Sequence, residues 1–173
     1  RLVQAILDES NEVVRKRKGV LIVRHRLGLV MAQAGIDQSN VRGADDDLIL
    51  LLPENPDRSA ADLRSGIERL AGVAPGVVIA DSIGRPFRNG TTGVAIGAAG
   101  LSSFMDIRGE ADLFGRALAV STVGHADELA SAASLLMGQG AEGRPVVLIS
   151  GLQPSDHVTA SALIRPLEDD LFR

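Results

Sequence analysis

The chain contains no cysteine, tryptophan or tyrosine, has only four phenylalanines, and carries just two lysines, Lys16 and Lys18, among its basic residues. Each shortage removes a class of function. Without cysteine there is no disulfide, no thiolate zinc site and no cysteine nucleophile, so any metal must be held mainly by oxygen. Four aromatic rings are too few stacking platforms for a single-stranded nucleic acid. A formal net charge of -4 and an isoelectric point near 5.4 lack the basic footprint of a nucleic-acid binder. No apolar run reaches the length of about 18 residues that a membrane span needs, and no charged-then-apolar leader opens the chain. The expectation is a cytoplasmic protein with neither a nucleic-acid nor a membrane partner. The phosphate-binding pattern G-x-x-x-x-G-K-[ST] is also missing, so a nucleotide would have to be held without a P-loop.

What is present suffices for one core. With 173 residues and 45% hydrophobic content, residues 1–173 read as a single domain. The chain opens inside what reads as a helix, so the expectation is a part of a longer protein. "RLVQAILDESNEVVRKRK" (1–18) reads as that helix, with Leu2, Val3, Ile6, Leu7, Val13 and Val14 near one face and a basic end at its negative pole. "GVLIVRH", "LVMAQA" and "DLILLLP" read as strands, the last stopped by Pro53. A helix is expected over 57–70, with Ser59 and Asp62 spaced as a variant capping box. "GVVIAD", "GVAIGAAGL", "RALAVSTV" and "RPVVLISG" add four apolar, β-branched segments, and "HADELASAASLLMG" an alanine-rich helix ending at Gly138. Strands outnumber helices without strict alternation and without a repeat, which predicts an α+β domain of mixed or antiparallel sheets with a few packed helices.

Three loops carry candidate chemistry. "AGIDQSNVRG" sets Asp37 and Asn40 three apart, with Ser39 and Arg42 nearby; for any one such loop taken alone an Asx-rich turn is the better explanation, because Asp, Asn and Ser favour turns. "ADSIGRPFRNGTTG" places Asp81 and Ser82 at the end of an apolar strand, where rigid backbone can present hard oxygen ligands to Mg²⁺ or Mn²⁺. A helix N-cap is the competing reading there, and "GRPF" is a poor helix start. Arg85 and Arg88 follow, and guanidinium forks bind phosphate or carboxylate bidentately. Plain solvation, or pairing with Asp106 or Asp112, is the alternative for either arginine. "MGQGAEG" (137–143) spells G-x-G-x-x-G, but after a helix and before a strand, which is the wrong context for a dinucleotide fold. Its simplest role is a helix stop, although Gln139 brings an oxygen that could reach a metal. Together these loops suggest a metal-assisted site for a phosphate-bearing substrate.

The stretches "AGIDQSNV", "LLPENPDRSA", "ADSIGRPFRNGTTGVAIGAAG", "DIRGEADLFGR", "ADELASAASLLMGQGAEG" and "RPLEDDLFR" in this order resemble the coenzyme F-420-0:gamma-glutamyl ligase family from about residue 19 onward. The resemblance implies a GTP-dependent ligase that activates the carboxylate of the deazaflavin coenzyme F-420-0 as an acyl phosphate. L-glutamate then displaces the phosphate, and further glutamates join through γ-linkages. It also implies two Mg²⁺ or Mn²⁺ ions with an assisting K⁺, and a homodimer, which the apolar run over 93–101 would suit. By the same resemblance Asp37 and Asp81 hold the first metal, Ser82 and Gln139 the second, and Asn40 touches GTP. The loop Gly138, Gln139, Gly140, Ala141, Glu142 and Gly143 then lies close to the nucleotide. A binding module for metal and nucleotide or deazaflavin, without ligation, is the competing class. The family has a further N-terminal segment that contributes to the nucleotide site and that residues 1–173 do not supply. Some relatives append a nitroreductase-like, flavin-binding domain.

Overall fold

The computed structural model describes residues 1–41, 48–152 and 157–170. Chain order runs α1 (Leu2–Asp8), β1 (Ser10–Arg17), β2 (Val20–His25), β3 (Val30–Ala32), α2 (Pro56–Ala71), β4 (Val77–Gly84), β5 (Thr91–Ala99), β6 (Met105–Asp106), β7 (Thr122–Val123) and α3 (His125–Met137). Three short 3-10 turns occupy Gln33–Gly35, Ala160–Leu163 and Leu167–Asp169. Every named strand pairing is antiparallel, and the expected α+β class holds. Among the described residues no helix is long and apolar enough to cross a membrane.

The first helix is shorter than the apolar spacing suggests. It stops at Asp8, and residues 10–17 form β1 against β2 instead. Val13 and Val14 are β-branched and lose side-chain freedom in a helix, while the available β2 edge rewards extension. Tertiary pairing therefore overrides a helical period. The basic cluster Arg15–Lys18 borders a sheet edge rather than a helix pole, where such charges discourage edge-to-edge association. Lys18 and Gly19 close the β1–β2 hairpin, with Gly19 at φ +82°.

Around the central strand β2 lies a small core of Ile6, Val23 and Ala34, flanked by Leu2, Leu21 and Ile36. A second core joins Ala95, Ala98, Leu101, Ala126, Ala130 and Ala160. Here β5 pairs with β4, and both long helices press on β5. Gly97 and Gly93 permit this contact: a Cβ at Gly97 would lie 2.4 Å from the Pro56 backbone of α2, and one at Gly93 2.3 Å from the Ala130 carbonyl oxygen of α3. The apolar run 93–101, expected to serve a subunit interface, is thus consumed by the chain's own core.

Helix α2 begins one residue earlier than expected and by different chemistry. Asn55 is its N-cap, accepting from the Arg58 amide at 2.9 Å, and Pro56 takes the first helical position, where its missing N–H costs nothing. Asp62 instead pairs with Arg58 one turn away. The expected strand "DLILLLP" reduces, among its described residues, to one bridge between Leu50 and Asp37. "RALAVSTV" contributes only β7 and a bridge from Ala117 to Ala111, and "RPVVLISG" joins no ladder.

Candidate active site

Asp37 leaves the 3-10 turn at Gln33–Gly35 and is fixed by its two backbone hydrogen bonds with Leu50, at 3.0 and 2.8 Å. Its carboxylate accepts from the Ser39 amide at 2.8 Å and from the Ser39 hydroxyl at 2.7 Å. This is the Asx turn that its sequence favours. Asp81 and Ser82 do not lie beyond a strand: they are inside β4, opposite Val94 and Gly93, and the strand continues to Gly84. No helix starts there. Alternation along β4 buries Ile83 and leaves Ser82 exposed. Its hydroxyl donates to Gln139 Oε1 at 2.6 Å, across 57 residues of chain.

The glycine-rich loop after α3 closes the site. Gly138 ends the helix at φ +78° and ψ -178°, a conformation reserved for glycine. Glu142 folds back over it and accepts from the Gly140 amide at 2.8 Å. Asn40 Nδ2 donates to the Gly140 carbonyl at 3.2 Å, which joins the first loop to the third. Ala141 lies between them, and Gly143 completes the turn at φ +63°. The structure therefore brings together Asp37, Asn40, Asp81, Ser82, Gln139 and the loop 138–143. Arg42 and the acidic triplet Asp45–Asp47 lie outside the described residues.

Electrostatics shows that the two carboxylates sense each other. The Ser39 hydroxyl, with the backbone amides of Ser39 and Gln38, holds Asp37 below the usual carboxylate range. Burial pushes Asp81 upward, and the charge of Asp37 adds to the push, against the amide of Ser82. A divalent cation between them would neutralise the repulsion, and the donors the site offers are hard oxygens: two carboxylates, a hydroxyl and a side-chain carbonyl. That set fits Mg²⁺ or Mn²⁺ and not a thiophilic metal. Among the described residues no group of three or more acidic, histidine or cysteine side chains gathers anywhere, so any metal here must take some of its donors from neutral oxygens.

Arg85 and Arg88 sit at the tip of the β4–β5 hairpin, the two ends of a turn in which the Arg88 amide meets the Arg85 carbonyl at 3.4 Å. Both are exposed, and neither has an ion-pair partner among the described residues. The alternative partners are engaged elsewhere. Asp106 is taken by Arg108, which holds its carboxyl at about 2, and Asp112 accepts from the amides of Phe114 and Arg116. Sequence reasoning gave no role to Phe87, whose strained backbone between these arginines is visible only in three dimensions.

An α+β domain thus gathers hard oxygen donors from the Asp37 turn, from strand β4 and from the loop after α3, with a pair of arginines at the tip of the β4–β5 hairpin. The family is specific: residues 1–151 match the model of F420-0:Gamma-glutamyl ligase. The chain belongs to this family of ligases. It is 47% identical over 174 residues to the coenzyme F420:L-glutamate ligase of Methanocaldococcus jannaschii, in an alignment spanning 100% of this chain and 68% of that protein. The same enzyme of Methanopyrus kandleri is 46% identical over 178 residues, covering 100% of this chain and 69% of the relative. That of Haloarcula marismortui is 45% identical over 173 residues, covering 100% and 66%.

Proposed function

We propose that this chain carries the active site of a divalent-metal- and GTP-dependent ligase that joins the amine of L-glutamate to the carboxylate of the deazaflavin coenzyme F420-0, releasing GDP and phosphate. The observation that carries this reading is the convergence of Asp37, Asp81, Ser82 and Gln139 on one site, locked to the nucleotide-side loop by the Asn40–Gly140 hydrogen bond. The names of the relatives support the choice of substrates.

Asp37 and Asp81 would hold one ion, and Ser82 with Gln139 a second; bound Mg²⁺ or Mn²⁺ supplies positive charge to the phosphoryl group in transit. K⁺ assists, and the working assembly is a homodimer. Asn40 contacts GTP and, through its bond to the Gly140 carbonyl, sets the position of the loop 138–143, which lies close to the nucleotide. A substrate carboxylate oxygen attacks the γ-phosphorus of GTP, the bond from that phosphorus to GDP breaks, and an acyl phosphate forms. The glutamate amine then attacks the acyl carbon, phosphate leaves with the electron pair of the C–O bond, and the amine gives up a proton to solvent. No side chain becomes covalently attached. This suits a site built of ligands and cations rather than a nucleophile with its base. Arg85 and Arg88 clamp phosphate or carboxylate of a substrate.

The test is a reaction with F420-0, GTP, L-glutamate and Mn²⁺, using the full-length protein and mass spectrometry for the glutamyl adduct. Glutamate-dependent release of GDP and phosphate is expected. Asp81→Asn should lower turnover by about 10²-fold or more, as loss of a principal electrostatic stabiliser does. Arg85→Lys and Arg88→Lys keep the charge but lose the planar fork, and each should cost roughly tenfold or more in kcat/KM. Nucleotide binding without any adduct would favour a binding module; unaltered turnover in Asp81→Asn would remove the metal assignment.

A further inference from the structure

Phe87 occupies a position that backbone physics assigns to a different residue. The turn Arg85–Pro86–Phe87–Arg88 has proline second, which suits it, and its third residue has φ +57°. A type II turn fills that place with glycine or asparagine, and a bulky side chain there is strained. The strain is not repaid by packing, because the ring is fully exposed. In a chain with four aromatic residues, one stands at the apex of a hairpin in an unfavourable conformation, facing water.

Such strain persists where surrounding structure enforces it, and it concentrates at ligand clamps. Enforcement is visible here: Gly84 pairs with Thr91 below the turn, and the Arg88 amide closes it on the Arg85 carbonyl. The same strand supplies Asp81 and Ser82. At about 3.3 Å per residue, Arg85 begins about 10 Å beyond Ser82, a spacing suited to a ligand with its reacting carboxylate at the metal site, further negative charge along its tail and a planar ring farther out.

We propose that Phe87 is a stacking platform for the deazaflavin ring of the substrate, with Arg85 and Arg88 on either side of it to hold the negative charge that ring carries on its tail. An aromatic face receives a planar heterocycle by stacking, and flanking guanidinium groups add both charge and stacking surface. The proposal rests on the ligase reading for its choice of ring. The loop 138–143, on the Asn40 side, is left for the nucleotide.

Phe87→Gly separates this role from a structural one. Glycine removes the ring and also relaxes the left-handed backbone. A side chain that holds the fold would lower the melting temperature when lost, whereas a strained platform should leave it unchanged or slightly higher. In the full-length protein, the dissociation constant of F420-0, followed by its own fluorescence without GTP or glutamate, should rise about tenfold, within the range that loss of one stacking partner produces. Phe87→Trp should restore affinity. The KM for GTP should stay unchanged. Unaltered F420-0 affinity overturns the proposal, and so does a defect confined to GTP. A change in the oligomeric state of Phe87→Gly would assign the ring to an interface between copies and overturn it as well. Because direct F420-0 binding is read without turnover, failure of the ligase reaction itself would be seen separately.

Discussion

His25 shows how one side chain can tie stability to pH. It is fully buried at the end of β2; Nδ1 accepts from the Leu27 amide at 3.0 Å, which places the proton of the neutral ring on Nε2. That atom lies 3.3 Å from Glu9 Oε2 but off the line of a good hydrogen bond. Burial lowers its pKa below the ordinary 6.5, the neighbouring Arg26 charge lowers it further, and Glu9 pulls in the opposite direction. The folded state therefore binds fewer protons than the unfolded chain just below pH 6.5. It follows that stability is complete above that pH and is lost as pH falls from there towards the depressed folded value. Denaturation midpoints measured from about pH 7.5 to about pH 5 should fall, and the slope should flatten in His25→Gln. Equal slopes in the two proteins would show that the ring is not responsible.

At the scale of elements, the two long helices are held to β5 by carboxylates in their first turns as well as by alanine packing. Asp127 of α3 accepts from the Ala95 amide at 2.9 Å, beside the β-bulge at Ile79 and Ala80. Asp57 of α2 accepts from Ala98 at 2.8 Å, Ala160 at 2.9 Å and Ser161 at 3.2 Å. Asp57→Ala strands these amides and should cost about 3 kcal/mol, lowering the melting temperature by roughly 10 °C. Asp57→Asn keeps an acceptor for the first two and should lose about half as much; a melting curve unchanged in the alanine variant would sink this account. Neither tether is legible in the sequence, where both acids look like favourable charges at a helix start. The legible parts were those governed by local chemistry: α3 with its glycine stop, the β2 and β5 strands, and the turn at Asp37. Residues 1–18 misled because Val13 and Val14 serve a helical period and a strand equally well until β2 is available. In the site, the oxygen-bearing residues could be read from residue type, but Asp81 and Ser82 stand inside β4 and not past its end. The Ser82–Gln139 and Asn40–Gly140 contacts could not be read, since each depends on how α3 docks on β5.

The molecule as a whole leaves an apolar margin. Residues 144–152 join no strand ladder, with Val146 83% and Leu148 87% exposed, and Leu135 at the end of α3 is 83% exposed. Large apolar side chains left this exposed suit an interaction surface, and an isologous pairing is the commonest means of covering one. Light scattering on the full-length protein should give a dimer mass, and Val146→Asp with Leu148→Asp should shift it to the monomer. A dimer that survives both charges would place the interface elsewhere. The Asp57 tether has a consequence for how the molecule is made. As the chain emerges from the ribosome, helix α2 appears some hundred residues before Ala160 and Ser161, the last of its anchors. The Ala98 amide can engage Asp57 as soon as β5 forms, but the tether is complete, and the helix fixed as a wall beside β5, only once Ala160 and Ser161 have followed.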